Sequence, residues 1–184
     1  MRGLLRFARG VDRVNEGIGR SVKWLVLAAT LIAAGNALLR YGFDLGSNAW
    51  LEAQWYLFAL IVLLGAGYTL KHDGHVRVDL FYARGSPRTR AWIDLAGTLL
   101  FLLPLAGLLV WLSWGFFVES WRIGETSPDA GGLARWPLKL FLPLGFALLF
   151  LQGVAECIRR VAQLRGDLPF APPPPEGGRA GEVV

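Results

Sequence analysis

The residues able to do chemistry are few, and they gather at the edges of apolar stretches. Glu52, Asp94, Glu119 and Glu156 each lie within a few residues of the end of a long uncharged run. A charged side chain at the centre of a bilayer costs about 2.5–3.5 kcal/mol on insertion scales, so a channel or ion-coupled carrier advertises itself by carboxylates or broken helices at mid-depth. None of these four is at mid-depth. His72 and His75 are three apart in a loop and have no Cys or ordered carboxylate set beside them, which argues against a zinc site. Haem-anchoring subunits place axial His inside the spans, whereas both of these sit at the membrane edge. The single Cys157 excludes an intramolecular disulfide and any Cys-based metal cage. No Ser/His/Asp arrangement and no GxxxxGK[ST] phosphate loop is present. The residues therefore point away from an enzyme and from a resident cofactor.

The elements that position these residues are membrane helices. The chain has 184 residues, is 54% hydrophobic and has a mean hydropathy of +0.42. Charge-free runs occupy about 24–39, 53–70, 95–118 and 140–155. With their flanks they reach the ~20 residues that cross ~30 Å of hydrocarbon. The expected fold is all-α, an integral membrane four-helix bundle with spans at about 21–40, 50–70, 90–116 and 136–158. The net charge of +5 does not indicate nucleic acid, because the basic residues flank apolar spans, where they meet anionic headgroups. Fifteen of the nineteen Lys and Arg fall before the first run, between the second and third, or after the fourth. Positive charge stays on the cytoplasmic side, so both termini and the middle loop are expected inside. The tryptophans agree. Trp24 and Trp92 fall at inner ends, and Trp50, Trp55, Trp111, Trp114, Trp121 and Trp136 at or near outer ends, as interfacial rings should. No cleavable signal peptide is apparent, and the first run is expected to be a retained helix.

Residues 1–20 form a separate expectation. Leu4, Phe7, Val11, Val14 and Ile18 recur at helical spacing, with Arg6, Arg9, Asp12, Arg13 and Glu16 mostly elsewhere. This predicts an amphipathic helix in the inner interface, with a break near Gly17–Gly19 before the first span. Ala29, Ala33 and Ala37 recur every four residues and predict close helix packing within the subunit or against a partner. Asn36 and Gln152 are expected to make interhelical hydrogen bonds. Pro104 predicts a disturbed third helix. Residues 161–184, with Pro172–Pro175, predict a disordered Pro/Gly-rich cytoplasmic tail. Residues 21–160 form the one membrane domain.

Several local patterns then share an order and spacing: Asn36–Tyr41, Asn48–Glu52, Leu64–Leu70 leading into Gly74-His75-Val76-Arg77-Val78-Asp79, Gly124–Pro128, Trp136-Pro137 and Leu142–Phe146. Together they resemble the small (DctQ-like) membrane subunit of tripartite ATP-independent periplasmic (TRAP) transporters over about 22–160. The resemblance implies a bacterial inner-membrane protein that scaffolds a large permease subunit. It also implies a periplasmic solute-binding protein as a further partner, and sodium-coupled uptake of a small organic solute, an organic acid, with the sodium sites in the large subunit. It makes His75, Arg77 and Asp79 candidates for ordering the inner loop or meeting the large subunit. Glu52, Ala29, Ala33 and Ala37 are further interface or loop-ordering candidates, and Glu125 and Ser127 are candidates for docking the binding protein. The competing readings are an autonomous four-span carrier, a membrane anchor for a redox enzyme, and an interaction protein unrelated to transport.

Overall fold

The computed structural model describes residues 1–74 and 85–170. Among them, four long helices are long and apolar enough to cross a membrane: α1 (Arg2–Phe43), α2 (Asn48–Lys71), α3 (Pro87–Arg122) and α4 (Trp136–Leu164). No strand forms among these residues; an isolated antiparallel bridge joins Thr126 to Ala134.

The helix ends follow local chemistry. Ser86 caps α3, its hydroxyl accepting from the Thr89 N–H at 3.2 Å, with Pro87 in the first turn where its missing N–H costs nothing. Pro137 likewise sits in the first turn of α4, which begins without a side-chain cap. The disturbance expected around Pro104 takes the form of a π turn over Thr98–Leu102, closed by the Leu103 N–H on the Thr98 carbonyl. Widening the helix immediately before the proline gives its ring room against the preceding carbonyls.

α4 is the hub: it packs against all three other helices, while α1 pairs chiefly with α2. The fully buried hydrophobic positions are alanines, namely Ala8, Ala29, Ala91, Ala106, Ala155 and Ala162, whereas Leu31, Phe58, Val62, Phe101, Leu105 and Trp111 are exposed. Lipid is as apolar as leucine, so large side chains gain little by turning inward, and small ones let backbones approach. Gly145 of α4 shows the approach directly. A Cβ built there would lie 2.7 Å from Leu63 Cβ and 2.9 Å from the Leu63 carbonyl oxygen of α2.

The expected break at Gly17–Gly19 is absent: α1 is one continuous helix of 42 residues. Its buried positions explain this. Ala8, Asn15, Ala29 and Asn36 are buried and Val22 half-buried, so the packing seam repeats every seven residues from the first turns to the last. A seven-residue repeat keeps one face of a helix on its neighbours through a gentle left-handed supercoil. Gly19 serves this packing, since any Cβ there would overlap the Tyr68 ring of α2. Of the expected apolar stripe, Leu4, Phe7 and Val14 face outward, whereas Val11 and Ile18 are half-buried. At the other terminus α4 continues to Leu164, so residues 161–164 are helical rather than part of a tail. The remainder of the expected tail, from 171, lies outside the described residues.

Candidate functional site

Polar side chains concentrate at the two ends of the bundle. At the end where α1 and α3 begin and α2 and α4 finish, one network ties all four helices. Asn15 Nδ2 donates to Gln152 Oε1 at 2.8 Å, and both residues are wholly buried. Gln152 Nε2 donates to Asp12 Oδ1 at 2.9 Å. Arg159 grips both Asp12 oxygens, at 2.7 and 2.6 Å, and donates to Glu156 Oε2 at 2.6 Å. Glu156 also pairs with Arg160 at 2.8 Å, and Arg160 reaches Asp94 of α3 at 3.1 Å. Beside this, Glu16 accepts from Lys71 Nζ at 2.6 Å and lies 2.8 Å from His72 Nε2. The His72 ring also packs on Tyr68, with centroids 4.3 Å apart. Thus Asp12, Asn15 and Glu16, the polar flank of the first five turns, form the docking face.

The opposite end is organised by Glu52, a largely buried carboxylate in the first turns of α2. One oxygen accepts from the Ser127 hydroxyl and the other from the Leu133 N–H at 2.6 Å. The loop itself is closed by Ser127 N–H to Leu133 O at 2.9 Å and Arg135 N–H to Glu125 O at 2.8 Å. Asn48 and Tyr56 of α2 add hydrogen bonds to the Ala130 and Ala134 carbonyls, at 3.1 and 3.2 Å. Glu125 pairs with Lys139, whose ammonium lies 3.8 Å from the Phe116 ring centroid. The Lys139 ammonium, followed by Ser120, holds the Glu125 carboxyl below its ordinary value of 4.5.

The structure therefore brings Glu52 and Ser127 together and places Glu125 on Lys139, so all three carboxylate and hydroxyl groups are engaged within the chain. Of the alanine stripe, Ala29 is buried, Ala33 half-buried and Ala37 exposed. A row spaced by four residues turns about 40° per step around the helix, so it leaves the seven-residue seam. His75, Arg77 and Asp79 lie outside the described residues. Gln152 makes the interhelical bond expected of it; Asn36, although only 8% exposed, makes none among the described residues. The Asp12–Arg159 and Glu16–Lys71 pairs were not singled out from the sequence, where Asp12 and Glu16 look like the solvated face of an arginine-rich helix.

Comparison with known proteins addresses the whole bundle. A model of the family described as tripartite ATP-independent periplasmic transporters, DctQ component, matches residues 11–163. A protein of Pseudomonas aeruginosa named C4-dicarboxylate TRAP transporter small permease protein DctQ is 31% identical over 141 residues, which cover 74% of this chain and 64% of that protein. The chain thus spans somewhat less than two thirds of that relative's length. No solved structure matches. Since the family match runs from the α1 docking face through the last turn of α4, the chain belongs to the DctQ-component family of the tripartite ATP-independent periplasmic transporters.

Proposed function

We propose that this chain is the small membrane subunit of a transporter whose large permease subunit it scaffolds, for sodium-coupled uptake of a small organic acid delivered by a periplasmic binding protein. One observation supports this reading above the others. The four apolar spans contain no ionisable side chain at mid-depth, and the carboxylates Asp12, Glu16, Glu52, Glu125 and Glu156 are all engaged by cations, hydroxyls or backbone near the helix ends. Carboxylates spent on holding the bundle together in this way are poorly suited to bind and release a coupling ion. It fits a rigid lateral support. The C4-dicarboxylate in the relative's name favours an organic acid as the solute. The charge distribution favours cytoplasmic termini, with the Glu52 end facing the periplasm.

The test is reconstitution. Liposomes carrying this chain alone are expected to show no solute accumulation under a sodium gradient. Those carrying it with the large permease recovered in mild detergent from the native membrane, plus the binding protein, are expected to accumulate. Accumulation by the chain alone would overturn the reading in favour of an autonomous carrier.

A further inference from the structure

The seam of α1 ends in a polar side chain that no other described residue satisfies. Asn36 is more than nine-tenths buried, yet no described residue hydrogen-bonds its amide. It lines a groove of about 230 Å³ formed by Leu31, Ile32, Gly35 and Leu39 of α1 and Trp50 of α2. Next to it, Gly35 has open space where a side chain would be, with nothing within 4 Å of a built Cβ. The contrast with Gly19 and Gly145, whose missing side chains are filled by neighbouring helices, is direct. Asn36 lies four residues inside the expected end of the first span at Arg40, about 6 Å by the helical rise.

An amide without a partner in hydrocarbon is costly, and an acyl chain offers it neither donor nor acceptor. Backbone-to-backbone approach at a glycine beside a polar residue is the geometry by which membrane helices associate. A soluble binding protein cannot enter this depth. A second copy pairing groove to groove would set one concave surface against another and leave both unfilled. We propose that the groove receives a transmembrane helix of the large permease subunit, which packs on the open backbone at Gly35 and presents a hydroxyl or amide group to Asn36. This rests on the reading given under Proposed function and deepens it by naming the face of contact.

The experiment has two arms. A photo-cross-linking residue is placed at Leu31 or Leu39 in the otherwise unchanged chain in its native membrane. Separately, Gly35→Leu and Asn36→Leu are compared with Leu108→Phe, a control on the exposed face of α3. Adducts with the large permease from both positions are expected. Recovery of that subunit in mild detergent should fall about tenfold for both groove variants, the loss of one interhelical hydrogen bond and one close contact, and stay unchanged for the control. Gly35 has space for a side chain and Asn36→Leu removes the unsatisfied amide, so thermal midpoints of the isolated subunit should hold. The cross-linking arm does not depend on those variants folding. If the unaltered chain recovers no large permease, the proposed function itself fails. If it does, but the groove variants recover as much, or the adducts are with a second copy or with lipid alone, the groove is not the interface.

Discussion

The two ends of the bundle use carboxylates for different purposes. At the basic end, Asp12, Glu16 and Glu156 sit between helices and join α1, α2, α3 and α4 through lysine and arginine. At the other end Glu52 holds a loop, accepting from Ser127 and from a backbone N–H. Charged pairs between helices fix where a helix begins relative to its neighbours, because each guanidinium has a rigid fork that only one placement satisfies. A single carboxylate under a loop fixes a surface shape and leaves helix packing alone. Helix placement and loop shape are thus set independently in this protein, at opposite ends of the apolar helices.

The largest way to break this division is Asp12→Ala. It strips Arg159 of two short contacts and Gln152 of its acceptor. Removing one partner of a buried ion pair costs about 3–5 kcal/mol. Arg159 and Asp12 keep about a fifth of their side chains exposed, so a loss of about 2–3 kcal/mol is expected, read as a lower thermal midpoint in detergent. With Glu52→Ala the two losses should add to within about 0.5 kcal/mol, since the helical rise from Glu52 to Lys71 of α2 puts about 28 Å between the ends. A strong coupling would mean the ends communicate and would defeat the comparison.

The next contrast separates a continuous α1 from a broken one. Gly19→Ala drives a methyl into the Tyr68 ring and should cost about 1–3 kcal/mol as overpacking. Gly17→Ala meets nothing within 4 Å and should stabilise by up to about 1 kcal/mol through helix propensity. Opposite signs two residues apart are the signature of a helix docked along one face. Two neutral results would restore a hinge there.

Much of this architecture was legible in the sequence. The four apolar runs and the disturbance near Pro104 follow from composition and backbone chemistry, because the bilayer leaves the backbone few alternatives. The seam of α1 was not legible, for a physical reason. Amphipathic analysis follows large apolar residues, and Leu4, Phe7 and Val14 led it to the outward face. In a membrane bundle the inward face is marked by Ala8, Asn15, Ala29 and Asn36, small or polar residues without a hydrophobic signal. The spacing of seven among them was available as a clue. The role of Glu52 as the support of residues 127–133 depends on a contact across 81 residues of chain, which no local pattern encodes.

At the opposite end, Glu52→Ala is expected to loosen the loop and spare the bundle. Two hydrogen bonds to a carboxylate are lost, at about 1.5 kcal/mol or more each when buried. Hydrogen exchange at the Ser127 and Leu133 amides should therefore quicken by about tenfold or more, with α1–α4 protection unchanged. Ser127→Ala should reproduce part of the effect. Global loss of protection in α2 would show that Glu52 holds helices together as well, and the two ends would then be alike.

The smallest expected effect concerns the half-buried Glu125–Lys139 pair at the loop end and is best read through pH. Lys139 favours the charged form of Glu125 in the folded protein, so the folded value lies below the ordinary 4.5. The unfolded chain then takes up this proton first on acidification, and acid favours unfolding. The pair's contribution is complete above pH 4.5 and disappears as pH falls through the lower folded value. The difference in thermal midpoint between the wild-type chain and Glu125→Gln should be small and flat from about pH 8 to 5, then shrink toward zero in stronger acid. Raised salt should reduce it at every pH, since surface pairs are screened. A difference that grew on acidification would mean that Glu125 is held protonated by burial in the folded state, and the loop end would then contain a carboxylate unlike any at the basic end.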